Sequence, residues 1–360
     1  LLGQGLITAD GDHWRWQRRL IQPAFRAEHL GRWGELIRDE VRETMGAWRA
    51  GGVVDVSRGL MELSFRVGCR TVFGTENLDV NYMYETFNEV SEAALAESRR
   101  LVRLPFWVPT LNHLRYRRAL AALEAPVAAL LAERRGSGRQ TVDLFGLLMG
   151  ARDDGESGEG MTARQLRDEG MTFLFAGHET TGNALSWALH ELSLHPDIQA
   201  RLHEEVTPLS DIPTAEELDR APYLRAVCDE VLRLHPPVWW LERQNLEPES
   251  FGDFEFAPGT RFAMSAHVVH RDPRWWDELL RFNPSRPPPR HESAYFPFAA
   301  GPRRCIGSQL ALQEMGQTLG GLIQRFRVEP AQAVVEPDPV VTVRVKGGLR
   351  VRLTPRAASA

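Results

Sequence analysis

Cys305 stands alone in "FPFAAGPRRCIG", the stretch from Phe296 to Gly307, with Arg303 and Arg304 before it and Gly301 and Gly307 around it. A cysteine so placed has three uses: a small buried apolar side chain, a nucleophile, or a thiolate metal ligand. A nucleophile needs a base, and no histidine is local. The two arginines, and the helix expected to begin at once in "SQLALQEMGQTL", favour the anion. The glycines let the backbone approach something flat. One thiolate cannot saturate iron or zinc, whereas a metal already held in a macrocycle needs only one protein ligand; the pattern therefore points to haem.

Two further constellations place polar groups where the pattern asks for hydrocarbon. "AGHETT", Ala176 to Thr181, puts a glycine, a carboxylate and two hydroxyls in the middle of an apolar helical run. It reads either as a satisfied polar cluster at a kink or solvent-facing turn, or as a groove for a small ligand beside Gly177. In the second reading Glu179 and Thr180 pass protons into the groove. Threonine back-bonding and a mid-helix glycine predict a locally distorted or widened turn. In "YLRAVCDEVLRLHPP", Glu230 shares the stripe of Leu224, Val227, Val231 and Leu234, and Arg233 lies three residues on. That position predicts a buried ion pair in need of further partners, with Arg286 of "FNPSR" available as one.

The elements that must position these groups follow from periodicity. Thr162 and Gln165 have capping-box spacing, and the apolar run continues to Leu192 before Pro196, predicting a helix of about 32 residues, roughly 48 Å long. "RLPFWVPTLNHLRYRR", Arg103 to Arg118, reads as a loop broken by Pro105 and Pro109. After Pro236, "RFAMSAHVV" and "VVTVRVKGGLRVRL" alternate as strands do. The fold class is mainly α with a smaller β portion, residues 1–360 forming one domain: a mostly helical part over 1–235 and a mixed part over 236–360. The composition, 43% hydrophobic with a net charge of -5, gives no reason to expect nucleic acid as a partner. The three cysteines are too dispersed for a disulfide framework, which favours a reducing, cytoplasmic setting. No window reaches the roughly 18 apolar residues of a membrane span.

With these residues assembled, the chain resembles the cytochrome P450 family. "FAAGPRRCIG" matches its Phe-x-x-Gly-x-Arg-x-Cys-x-Gly signature at Phe298, Gly301, Arg303, Cys305 and Gly307. "AGHETT" matches the oxygen-activating helix, "EVLR" the Glu-x-x-Arg pair, and "HWRWQRR" the Trp-x-x-x-Arg helix through Trp14 and Arg18. The resemblance implies a P450 fold with heme b, iron protoporphyrin IX, between a long central helix and the cysteine loop. It implies that Cys305 is the iron ligand and that Phe298 packs near the sulfur. Arg303, Arg18, Trp14 and Arg243 would hold the propionates. Ala176 and Gly177 would let dioxygen lie against the helix, with Thr180 and Glu179 delivering protons. Glu230, Arg233 and Arg286 would be structural. The family carries a longer segment before the Trp-x-x-x-Arg helix, so the chain reads as lacking an N-terminal segment in which a membrane anchor remains open.

The activity implied is hydroxylation of an apolar substrate by dioxygen. Two electrons would come from NAD(P)H through a separate ferredoxin or flavodoxin and its reductase, docked on arginines 18, 19, 303 and 304. Peroxide-driven or isomerising chemistry is disfavoured by the Glu179–Thr180 pair, and a haem-binding but inactive truncated protein is the alternative. Leu104, Phe106, Trp107 and Leu111 read as an apolar lid. Trp239 and Trp240 read as pocket lining or core. Together they point to a fatty acid or a carotenoid-like terpenoid.

Overall fold

A computed structural model describes residues 2–48, 51–74, 78–98, 100, 105, 107–137, 141–153 and 158–356. Among them the chain is mainly helical up to Leu234. The helices of this part are α1 (Gly11–Ile21), α2 (Ala27–Ala47), α3 (Val56–Phe73), α4 (Val80–Ser98), α5 (Leu111–Ser137), α6 (Leu144–Gly150), α7 (Ala163–Leu194), α8 (Pro196–Val206), α9 (Ala215–Leu218) and α10 (Pro222–Leu234). Two more follow, α11 (Ala266–Val269) and α12 (Ser308–Arg325). The strands are β1 (Val53–Asp55), β2 (Leu241–Gln244), β3 (Glu249–Phe251), β4 (Phe254–Phe256), β5 (Arg261–Met264), β6 (Phe326–Pro330), β7 (Pro337–Pro339), β8 (Val343–Val345) and β9 (Arg350–Pro355). They form small antiparallel sheets: β1-β9-β6, and the pairs β2-β5, β3-β4 and β7-β8.

Two compact units divide the chain: Leu1–Leu36 with Ser64–His178, and Ile37–Leu63 with Glu179–Ala360. In the first, Phe65, Phe73, Phe87 and Phe145 are fully buried, and Phe73 meets Phe145 edge-on at 4.8 Å. Gly170 permits this packing, because a Cβ there would come within 2.5 Å of the Phe145 ring. Arg134, buried, donates to Asp143 Oδ1 at 2.6 Å and to the Phe73 carbonyl. The Leu144 helix is capped by the same aspartate, which accepts from Gly146 N–H.

In the second unit α12 is buried along most of its length. Buried Gln199 of α8 ties to β6 through Val328, donating to its carbonyl at 2.9 Å and accepting from its amide at 2.8 Å. The Trp187 indole donates to Val343 O at 3.0 Å and stacks on His235 at 4.2 Å, joining α7 to β8 and to the end of α10.

Two expectations change, and one strand appears that none foresaw. The loop expected over 103–118 gives way to α5 from Leu111, because Thr110 accepts the first-turn amide of His113 and starts the helix there. "RFAMSAHVV" is a strand only to Met264; Ser265 then caps α11 through the Val268 amide. Strand β1 carries too short a pattern to read, and forms because β9 offers it a paired edge.

Candidate functional site

The central helix is α7. Its start is a capping box: Thr162 N–H donates to Gln165 Oε1 at 2.8 Å, and Gln165 N–H donates to Thr162 Oγ1 at 3.3 Å. The helix runs 32 residues, as its periodicity predicts, and stays α-helical through "AGHETT". The expected widening of that turn is not seen. His178 explains part of the regularity. It is buried, its Nδ1–H donates to the Leu174 carbonyl at 3.1 Å, and its ring meets Phe87 edge-on at 4.6 Å.

 Burial pushes its pKa down to about 4, so the imidazole is neutral.

The open side of α7 carries the candidate residues. Ala176 and Thr180, one turn apart, are half-buried and Gly177 is exposed, while Leu174, His178, Thr181 and Leu185 are buried. A Cβ on Gly177 would meet nothing within 4 Å, so the helix presents a bare patch of backbone there. Glu179 is held in a way the sequence does not reveal. Thr342, in the turn between β7 and β8, donates its hydroxyl to Glu179 Oε1 at 2.7 Å, and its oxygen accepts from Asn183 Nδ2 at 3.0 Å. Because the amide can only donate, the Thr342 proton is committed to Glu179. Thr342 lies 163 residues from Glu179 in an ordinary alternating strand pattern, which is why no local signal marks it.

The cysteine loop is shaped by its backbone. Phe298 O accepts from Cys305 N–H at 2.9 Å, and Phe296 O accepts from Ala299 N–H at 3.0 Å. Gly301 has φ +74°, a conformation that favours glycine, and a Cβ there would meet nothing within 4 Å. Cys305 is exposed; Phe298, Arg303 and Gly307 are half-buried. Helix α12 begins at Ser308 behind Gly307, which has no capping side chain. A thiol one turn before a helix N-terminus and beside two arginines is chemically suited to ionise.

Glu230 and Arg233 are buried at 3% and 1% exposure. Arg233 donates to both Glu230 oxygens at 2.8 and 2.9 Å, and Arg286 Nε reaches the same carboxylate at 2.8 and 2.9 Å. The Asn283 amide adds a fourth donor group. This is the buried, multiply partnered ion pair that the stripe predicts.

The remaining candidates lie on separate elements. Trp14 and Arg18 are half-buried on α1, where Arg18 Nε donates to Gln22 Oε1 at 3.4 Å. Beside them His13 Nε2 is buried without a hydrogen-bond partner. Arg243, half-buried in β2, donates to the Glu242 carbonyl at 2.9 Å. Trp239 is half-buried with its indole N–H unpartnered, and Trp240 is 42% exposed. Trp107 and Leu111 are strongly exposed, while Leu104 and Phe106 lie outside the described residues.

The cysteine loop fits a haem: its thiol is accessible, a Cβ on Gly301 would meet nothing within 4 Å, and Trp239 in the same unit offers a buried indole nitrogen without a partner. Among the described residues no group of three His, Cys, Asp or Glu could hold a bare metal ion.

Comparison with known proteins agrees. The cytochrome P450 family model matches residues 1–350. The chain is 32% identical to cyclooctat-9-en-7-ol 5-monooxygenase of Streptomyces melanosporofaciens, over 92% of this chain and 74% of that one. It is also 32% identical to pentalenene oxygenase of Streptomyces avermitilis, over 99% of this chain and 81% of that one. The crystal structure of the cytochrome P450DA heme domain superposes with a TM-score of 0.89 at 25% identity, covering 99% of this chain and 81% of that one. The chain belongs to the cytochrome P450 family and is a monooxygenase of that family.

Proposed function

We propose that this enzyme hydroxylates an apolar terpenoid, using dioxygen and two electrons that pass from NAD(P)H through a ferredoxin or flavodoxin type partner and its reductase. The observation that carries the reading is the accessible Cys305 thiol, in a loop closed by its own amide on Phe298 O. Held through that sulfur, heme b would supply the redox chemistry that activates dioxygen. The Cys305 sulfur would donate electron density to the metal it holds, and the hydrogen bond of the Cys305 amide to Phe298 O fixes where the sulfur stands. Arg303, Arg18, Trp14 and Arg243 would donate to the propionates. Ala176 and Gly177 keep one face of α7 low enough for a diatomic ligand.

Proton delivery falls to Glu179 and Thr180. Thr342 occupies Glu179 Oε1, so Oε2 is the oxygen that carries the proton, and the Thr180 hydroxyl passes it on. The terpenoid class rests on the two Streptomyces relatives and on the apolar character of Trp239 and Trp240. Titrating the haem-loaded protein with cyclic terpenes and with fatty acids of matched size tests it. Terpenes should shift the haem spectrum at micromolar concentrations; a response to fatty acids alone would overturn the substrate class.

A further inference from the structure

The loop that carries Cys305 is tied at its start to a histidine that no catalytic role uses. His270, the residue that ends α11, is fully buried at 0% exposure. Its Nε2 accepts from the Phe296 amide at 3.0 Å, and its carbonyl accepts from Arg233 Nη1 at 2.9 Å. Since Nε2 accepts, the ring proton sits on Nδ1, which is buried without a partner. Tyr295, whose ring lies 5.3 Å from the imidazole, donates its hydroxyl to the Asp229 carbonyl of α10 at 2.9 Å. Tyr295 therefore pins the loop entrance to α10, which carries the Glu230–Arg233 pair, and Phe296 pins it to the end of α11.

We propose that His270 is a positioning residue for the Cys305 thiolate: its ring transmits the buried Glu230–Arg233–Arg286 framework to Phe296, and hence to the Phe298 carbonyl that receives the Cys305 amide. The proposal rests on Cys305 as the haem ligand. Only an acceptor at the Nε2 position performs this task. Burial, with Arg233 and Arg271 nearby, pushes the His270 pKa down to about 3, so the ring remains a neutral acceptor at any working pH.

The test compares the haem-loaded full chain with His270→Phe, which keeps ring volume but has no acceptor, and with His270→Gln, whose Oε1 replaces Nε2. The ferrous carbon monoxide spectrum reads thiolate ligation directly: about 450 nm when the sulfur is held as thiolate and about 420 nm when it is not. The Phe variant should melt close to the parent yet show a several-fold larger 420 nm fraction, and the Gln variant should restore the parent spectrum. A folded Phe variant with the parent spectrum, or a Gln variant as impaired as Phe, overturns the proposal. Should the Phe variant fail to fold, nitrogen-15 NMR of the parent decides: protonated Nδ1 with a bare Nε2 is expected, and protonated Nε2 contradicts it. Absence of the 450 nm band in the parent would count against the Cys305 ligand reading, while the NMR signature would still decide whether His270 accepts from the loop.

Discussion

Glu179 owes its position to a residue far away in sequence. Removing the Thr342 hydroxyl in Thr342→Val deletes one hydrogen bond to the carboxylate and leaves the Asn183 amide without its acceptor. Product formed per electron consumed should fall by about tenfold, the equivalent of ~1.4 kcal/mol in positioning the acid, with Thr342→Ser close to the parent. Parallel measurement of NAD(P)H oxidised, peroxide released and product formed checks this; tight coupling in Thr342→Val would count against the relay. At this scale the sequence reveals the residues that belong to contiguous motifs, Cys305, Gly301, Glu179 and Thr180. It hides Thr342 and His270, because their partners are joined to them only by the fold. Nothing in "VVTVRV" or "AHVVHRD" distinguishes a residue that orients an acid or a loop from one that fills a strand or a turn.

Among elements, α7 is the most legible and the most heavily charged inside. Its capping box and apolar run fix its ends, yet it buries Glu169 at 0% exposure, where Oε2 accepts from the Leu6 amide at 3.0 Å. Burial, with Asp168 adjacent, raises the Glu169 pKa from 4.5 to about 7. The folded state therefore binds more protons than the unfolded state between those values, and stability falls as pH rises through that window. Glu169→Gln should remove this slope and stabilise the protein above pH 7 by about 3 kcal/mol, read from denaturant midpoints between pH 5 and 8. His178 acts in the opposite direction. Its pKa is depressed from 6.5 to about 4, so its contribution is present above 6.5 and lost as pH falls towards 4. Helix α10 provides the second element test. Glu230→Gln leaves Arg233 and Arg286 facing each other in a buried site, and should cost about 3–5 kcal/mol of stability. A variant with the parent's unfolding midpoint would show the network to be dispensable. The loop expected over 103–118 gives way to helix from Leu111 because Pro109 precedes α5 rather than breaking it, and the same helix accommodates Pro126.

For the molecule as a whole, net charge -5 does not describe the surface offered to an electron donor. Arg304 is exposed in the cysteine loop, next to Cys305. Reduction by an acidic ferredoxin should slow several-fold as ionic strength rises from about 0.02 to 0.5 M, and Arg304→Glu should slow it at low salt. Stopped-flow reduction checks both. No helix among the described residues is long and apolar enough to cross a membrane. The mainly α class with a minor β part was legible from periodicity, whereas the pairing of β1 with β9 was not, since three residues carry no alternation to read. The central claim is that Cys305 holds the haem iron as a thiolate, and the reduced carbon monoxide spectrum tests it most directly. The account predicts a band at about 450 nm in the haem-loaded protein that Cys305→Ser abolishes while the protein stays folded; a serine variant that kept the band would contradict it.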